Sequence, residues 1–181
     1  MKKHELTDDT ITVGGRILHR IKALKSFSDV EEGDLGGYVE KEDNLDHSGE
    51  AWVSGNARVY GNAWVYGDAW VYGDARVSGD ARVYGNARVY GNARVSGDAR
   101  VSGDARVSGE NDYAAAKGFG REYRTTTFFR LQDGGIGVRC GCFCGTLEEF
   151  REKVKETHKE SKMGKEDLML ADLMEYKFKN A

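Results

Sequence analysis

The residues best suited to chemistry include a short run near the carboxyl end, Cys140-Gly141-Cys142-Phe143-Cys144. Three thiols in that pattern raise soft-metal or redox chemistry. On an extended strand, residues two apart share one side and sit ~7 Å from one another. Zinc, with bonds of ~2.3 Å, needs ligands that converge, usually from tight turns. Free cysteine is also a common small core residue. The spacing therefore favours Cys140, Cys142 and Cys144 on one strand face, packed against helices, with metal or redox binding as the weaker alternative. An odd number of cysteines makes no disulfide framework. The other nucleophile and ligand types are sparse. Histidine occurs as His4, His19, His47 and His158, and no G-x-S-x-G, P-loop or H-E-x-x-H pattern is present.

A second set of candidate residues is arginine, tryptophan and tyrosine at regular spacing. Between Gly49 and Ser108 the chain repeats G-[END]-A-[WR]-V-[SY] ten times without insertion. Val and Ala lie two apart, so on a strand they point to one side and the Trp or Arg between them points away. Gly followed by Asp or Asn is turn chemistry. A short strand plus a corner every six residues cannot bury its own apolar face, but stacked copies can, so the segment reads as a solenoid. A flat meander is the other strand reading, and strands this short without insertions favour the coil.

The phase of a small residue four positions after an aliphatic one resembles the hexapeptide-repeat family. That resemblance implies a left-handed parallel β-helix with three hexads per triangular coil, hence about three coils over residues 49–108. Residues eighteen apart then stack. Trp52, Trp70, Arg88 and Arg106 fall on a first face, Arg58, Arg76 and Arg94 on a second, and Trp64, Arg82 and Arg100 on a third. Tyr72 and Tyr90 join the first face, and Tyr66 and Tyr84 the third. Like charges ~5 Å apart repel. One reading is a surface self-compensated by corner acids, seven Arg against six Asp/Glu in the block. The other is an Arg/Trp/Tyr interface, since these types dominate binding hot spots. The resemblance also implies a trimer, with its seam on the Trp52/Trp70 face or the Trp64 face.

The flanks read as caps for bare strand edges. Residues 1–48 hold a hairpin about Gly14-Gly15, in which Ile11, Val13, Ile17, His19 and Ile21 alternate. The stretch GYVEKEDNLDHS then reads as two degenerate hexads leading in. With GDLGGYVE and the first AWV, this passage looks like the lead-in of hexapeptide-repeat proteins of bacteria and prophages. Residues 109–181 read as a ββαα module. Asp133-Gly134-Gly135 is its turn, Thr146 and Glu149 form a capping box, and Leu147, Phe150 and Val154 make one apolar stripe. Leu170, Leu173 and Met174 are the expected core of the second helix. This module resembles phage-encoded proteins. The overall fold class is thus mainly β, a short β-helix capped by a hairpin and a ββαα module.

Net charge −3 argues against general nucleic-acid binding. MKKHELTDDT is followed by no apolar run, and no stretch approaches a membrane span, so a cytoplasmic protein is expected, in the host cytoplasm if phage-encoded. Acyltransferases of the hexapeptide family use a histidine near the coil. Here the ten hexads contain none, and His47, the remaining candidate, reads rather as an inward position. The expectation is a non-enzymatic, homotrimeric binding protein of phage or prophage type, without cofactor. It would bind a host protein or sequester a small anionic or nucleotide ligand, as a host-defence antagonist would. The alternatives are a structural spacer or virion-associated scaffold and, less favoured, a divergent acyltransferase.

Overall fold

The computed structural model describes residues 2–180. Two long strands, β1 (His4–Val13) and β2 (Arg16–Ala23), form a hairpin, followed by β3 (Leu35–Val39). Ten two-residue strands come next: β4 (Trp52–Val53), β5 (Arg58–Val59), β6 (Trp64–Val65), β7 (Trp70–Val71), β8 (Arg76–Val77), β9 (Arg82–Val83), β10 (Arg88–Val89), β11 (Arg94–Val95), β12 (Arg100–Val101) and β13 (Arg106–Val107). The carboxyl-terminal unit contributes β14 (Tyr113–Ala116), β15 (Thr126–Arg130), β16 (Ile136–Cys140), β17 (Phe143–Thr146), α1 (Leu147–His158) and α2 (Lys162–Lys179).

The ten short strands build a β-solenoid whose parallel partners lie eighteen residues apart, as in Trp52↔Trp70, Arg58↔Arg76 and Trp64↔Arg82. Each of the first six hexads sends three backbone N–H groups to the next turn, for example Asn56 to Gly73 O at 2.9 Å, Arg58 to Ala75 O at 2.9 Å and Tyr60 to Val77 O at 3.1 Å. The Ala and Val of all ten hexads are buried and form one continuous core. Full burial of one such valine stabilises by roughly 1.5–3 kcal/mol. The corners depend on glycine, and those from Gly49 to Gly103 take φ between +60° and +72°.

The solenoid has about four turns, one more than the ten hexads supply. The lead-in joins it, since Tyr38–Val39 pairs in parallel with Arg58–Val59 and Leu45 bridges to Val65. Here partners lie twenty residues apart. The two extra residues fall between Leu45 and Val53, and Asp46-His47 widens that corner. Strand β3 also pairs antiparallel with β2, so the hairpin continues a solenoid sheet in the order β1-β2-β3-β5-β8-β11. The edge of that sheet is thereby covered. The Gly14-Gly15 turn is as expected, with Val13 facing Arg16. The expected alternation is not. Ile17 is 58% exposed while Leu18, Ile21 and Ala23 are buried, because irregular register after Leu6 and after Arg20 shifts the phase.

The other end is closed by the meander β14-β15-β16-β17, two strands more than the ββαα expectation. Strand β15 carries adjacent phenylalanines to opposite sides. Phe129 joins the solenoid core, and Phe128 joins the core under α1 and α2. The capping box holds, with Glu149 N–H donating to Thr146 Oγ1 at 3.2 Å and Thr146 N–H to Glu149 Oε2 at 2.8 Å. Leu147, Phe150, Val154, Leu170 and Met174 are buried, but Leu173 is 58% exposed, since α2 buries the row Asp167, Leu170, Ala171, Met174 and Phe178.

The cysteines do not share a strand face. Cys140 ends β16, Gly141 turns at φ +57°, and Cys140 pairs with Phe143 while Arg139 pairs with Cys144. Cys140 therefore faces the helices, and Cys144 faces the solenoid, its sulfur 3.8 Å from Ser102 Oγ. Cys142 and Cys144 are exposed. The expected strand ran through what is a tight turn.

The corner glycines give a direct test. A Cβ on Gly103 meets nothing within 4 Å, whereas one on Gly79 lies 2.9 Å from the Gly97 backbone nitrogen. Both need left-handed φ, which costs a non-glycine residue about 1–2 kcal/mol. Gly79→Ala should lower the urea midpoint distinctly more than Gly103→Ala, at equal slopes.

Candidate functional site

The strand geometry puts Trp or Arg outward between each buried Ala–Val pair, and Ser or Tyr outward after it, so each solenoid face carries two parallel rows. On the first face Arg88 lies over the Trp70 ring at 5.7 Å, and Tyr72 and Tyr90 stack at 5.1 Å. Trp70, Tyr72 and Arg88 line a groove of about 300 Å³ with Ser28, Asp29 and Ser54. Trp52 stands apart from this site. It is 2% exposed, with Phe27 edge-on at 5.4 Å. The loop between β2 and β3 covers it, so it is core and not surface, a cover that hexad spacing does not reveal.

The third face carries a run of π systems. Trp64 stacks on Tyr66 at 4.0 Å, Tyr66 on Tyr84 at 4.7 Å, and the Arg139 guanidinium lies over Tyr84 at 5.5 Å. Burial, then the neighbouring phenol, raises the pKa of Tyr66 and Tyr72. Trp64 is 37% exposed and borders a groove of about 410 Å³ with Glu42, Asp43, Asp46 and His47. The second face holds Arg58, Arg76 and Arg94 in register beneath Tyr38, whose ring lies under Arg20 at 5.2 Å. Arg58 Nε is buried without a hydrogen-bond partner among the described residues.

The corner acids do not neutralise these arginines. Asn56, Asn62 and Asn86 each donate Nδ2 to the carboxylate eighteen residues on, Asp74 at 3.3 Å, Asp80 at 3.0 Å and Asp104 at 3.3 Å. Asp68 accepts the Glu50 N–H, and Asp98 is bound by Lys117. The guanidiniums use carbonyl oxygens instead, Arg88 on Asp68 O at 2.7 Å and Arg106 on Asn86 O at 3.0 Å. Arg100 reaches Gly141 O in the end unit. Among the described residues, the single ion pair made by an arginine of the hexads is Arg94–Glu110 at 3.9 Å, between two exposed side chains. The compensated surface anticipated from charge counting is thus replaced by two separate ladders. An amide–carboxylate ladder runs up the corners, and an arginine–aromatic array covers the faces.

His47 sits at the widened corner. It stacks on His4 at 4.3 Å, and its Nδ1 accepts the Lys3 backbone N–H at 3.2 Å. Lys3 is fully buried and donates Nζ to Ala51 O at 2.7 Å, plugging the coil end. Burial, opposed in part by Asp46, lowers the Lys3 pKa to about 8. His4 is equally buried with neither ring nitrogen partnered, and burial, with His47 and Lys3 alongside, lowers its pKa to about 3. No sequence pattern marks Lys3 or His4. No group of three or more His, Cys, Asp or Glu among the described residues could hold a metal ion, Cys140, Cys142 and Cys144 included. No helix among them is long and apolar enough to cross a membrane.

Two outcomes follow. Asn86→Asp would stack three carboxylates, Asp68, the new group and Asp104, at coil spacing, so it should destabilise by about 0.5–1 kcal/mol, and added salt should recover part of the loss. In acid, the unfolded chain protonates His4 near 6.5 while the folded chain resists to about 3. Its contribution is therefore full above 6.5 and lost progressively as pH falls to 3. His4→Phe should flatten the fall in thermal midpoint between pH 7 and pH 4.

Residues 51–67, 69–85, 81–97 and 87–101 match the family of YdcK β-solenoid repeats. No curated protein matches the chain. With the register of the short strands, the match makes this a repeat β-helix protein, a β-solenoid carrying a strand sheet and two helices at its carboxyl end.

Proposed function

We propose that the chain is a non-enzymatic binding protein whose arginine- and aromatic-bearing solenoid faces hold an anionic partner, either an acidic patch of a host protein or a small anionic ligand such as a nucleotide. One observation carries this reading. Arg58, Arg76 and Arg82 have no carboxylate partner within 4.0 Å among the described residues, and they stand in rows set by the coil. A row of guanidiniums left unpaired on one face, with stacked tyrosines on the other two, suits forked bonding to phosphate or carboxylate. We assign the binding surface to Arg58, Arg76 and Arg94 on the second face and to Trp70, Tyr72 and Tyr90 on the first, with Arg82 and Arg100 standing on the third face, where the trimer seam is placed.

The finer fold assignment belongs to the same proposal: a left-handed coil of hexapeptide-repeat type from a bacterial or prophage source, acting in the cytoplasm against host defence. We place a trimer seam on the Trp64 face, since Trp52 is covered by its own chain. A rigid spacer is the second reading. It is favoured by the bonds tying the end unit to the last turn, such as Gln132 N–H to Asp104 O at 3.0 Å.

Charge reversal separates the two. In a pull-down from bacterial lysate, with native mass and ultraviolet absorbance of any co-purifying nucleotide recorded, Arg58→Glu with Arg76→Glu should weaken retention of the anionic partner about tenfold or more. Circular dichroism and thermal midpoint should stay near wild type. Retention unchanged by the double reversal would overturn the binding reading in favour of the spacer.

A further inference from the structure

A cleft of about 510 Å³ opens between the β16–β17 turn and the two helices, away from the solenoid faces. Its wall is apolar, built by Phe143, Phe150 and Val154, the latter two buried in the helical core. The exposed Cys142 stands at its edge, and Cys144 lines it while its sulfur lies toward Ser102 of the solenoid. At the α2 side lies Asp167, a residue 7% exposed whose carboxylate accepts no hydrogen bond from any described residue. Its oxygens lie against Gly120, where an added Cβ would come within 3.0 Å of Oδ2.

A carboxylate set in a mostly apolar lining without a protein partner is open to a ligand cation. The cations nearby do not supply such a partner. Lys153 is bound to Glu156 at 2.7 Å on the exposed side of α1. His158, at the end of α1, makes no hydrogen bond or ion pair to Asp167. Burial pushes the Asp167 carboxyl above its ordinary range, and the proximity of His158 only partly opposes this. What remains is an apolar slot of small-molecule size with one uncompensated acidic group inside it. A ligand that fits has an apolar body for the phenylalanine wall and an N–H cation for the carboxylate.

We propose that this cleft binds a small organic cation with an apolar body, an aromatic amine or amidine, whose charged end is held by Asp167. The site is independent of the anion-binding surface, and neither stands or falls with the other.

The test uses the full chain and benzamidine as probe, followed by calorimetry or NMR titration. Benzamidine should bind at least about tenfold more tightly than benzoate, which has the same ring and opposite charge. Asp167→Asn should reduce benzamidine affinity about tenfold, equivalent to about 1.4 kcal/mol, and leave benzyl alcohol unchanged. In the wild-type chain, saturating benzamidine should slow iodoacetamide labelling of Cys142 several-fold, with Cys144 as the internal reference, which keeps the proposal refutable if the variant fails to fold. Equal binding of benzamidine and benzoate, full affinity in Asp167→Asn, or unaltered Cys142 labelling would each overturn it.

Discussion

Backbone hydrogen bonds from each turn to the one seventeen residues on dictate the rest of this molecule. They hold the pitch at eighteen residues wherever the hexads run, so any residue stands over its counterpart in the next turn. The interior can then contain only what fits three times per turn at fixed width, which is why Val and Ala recur without exchange. The corner must bend tightly against the corner below it, which leaves glycine. The outward positions are free of these demands, and there the sequence varies between Trp and Arg or Ser and Tyr.

The same constraint explains what could be read from the sequence. Face assignment of every hexad residue follows from counting by eighteen, and the tyrosine pairs, tryptophan pair and arginine rows all lie where that count puts them. Counting fails where the chain stops repeating. Asp46-His47 adds two residues to a corner and still belongs to a turn, because backbone pairing through Tyr38 and Leu45 tolerates a longer bend. Ile17 and Leu18 exchange sides through irregular strand register, which composition does not encode. Cys142 falls in a turn because Gly141 adopts positive φ, although the alternating pattern reads equally well as strand. The cover over Trp52 and the plug made by Lys3 depend on segments more than twenty and forty residues away in sequence, and no local pattern reports them.

The two ends solve one problem by different chemistry. A parallel coil leaves unpaired backbone groups at both mouths, and burying them bare is unfavourable. At the amino end β3 serves as both solenoid strand and hairpin partner, while Lys3 donates to carbonyls that no further turn can reach. At the carboxyl end a sheet lies across the mouth. Thr127 accepts the Arg100 N–H, and Phe129 fills the core. Strand β15 serves two cores at once, so the terminal helices cannot be loosened without exposing Phe128 on one side of a strand whose other side closes the solenoid.

Charge is the point where fold and function meet. Stacking at one pitch brings like charges together, and the corners relieve this in part by amides, as in Asp68, Asn86 and Asp104, and in part by a cation, since Asp80 stacks directly under Asp98 and Lys117 binds Asp98. The arginine rows have no such alternation. Carbonyl oxygens, and for Arg88 the Trp70 ring, orient Arg88, Arg100 and Arg106 without neutralising them, while Arg58, Arg76 and Arg82 have neither kind of contact among the described residues. On the proposed reading, unneutralised donors carried on a rigid frame need little backbone reorganisation on binding. With a net charge of −3 the whole molecule does not draw anions from a distance. On that same reading, recognition on these faces rests on the match between the coil pitch, ~5 Å, and the spacing of anionic groups on the partner. An extended row of phosphates or carboxylates satisfies that match better than a single ion can.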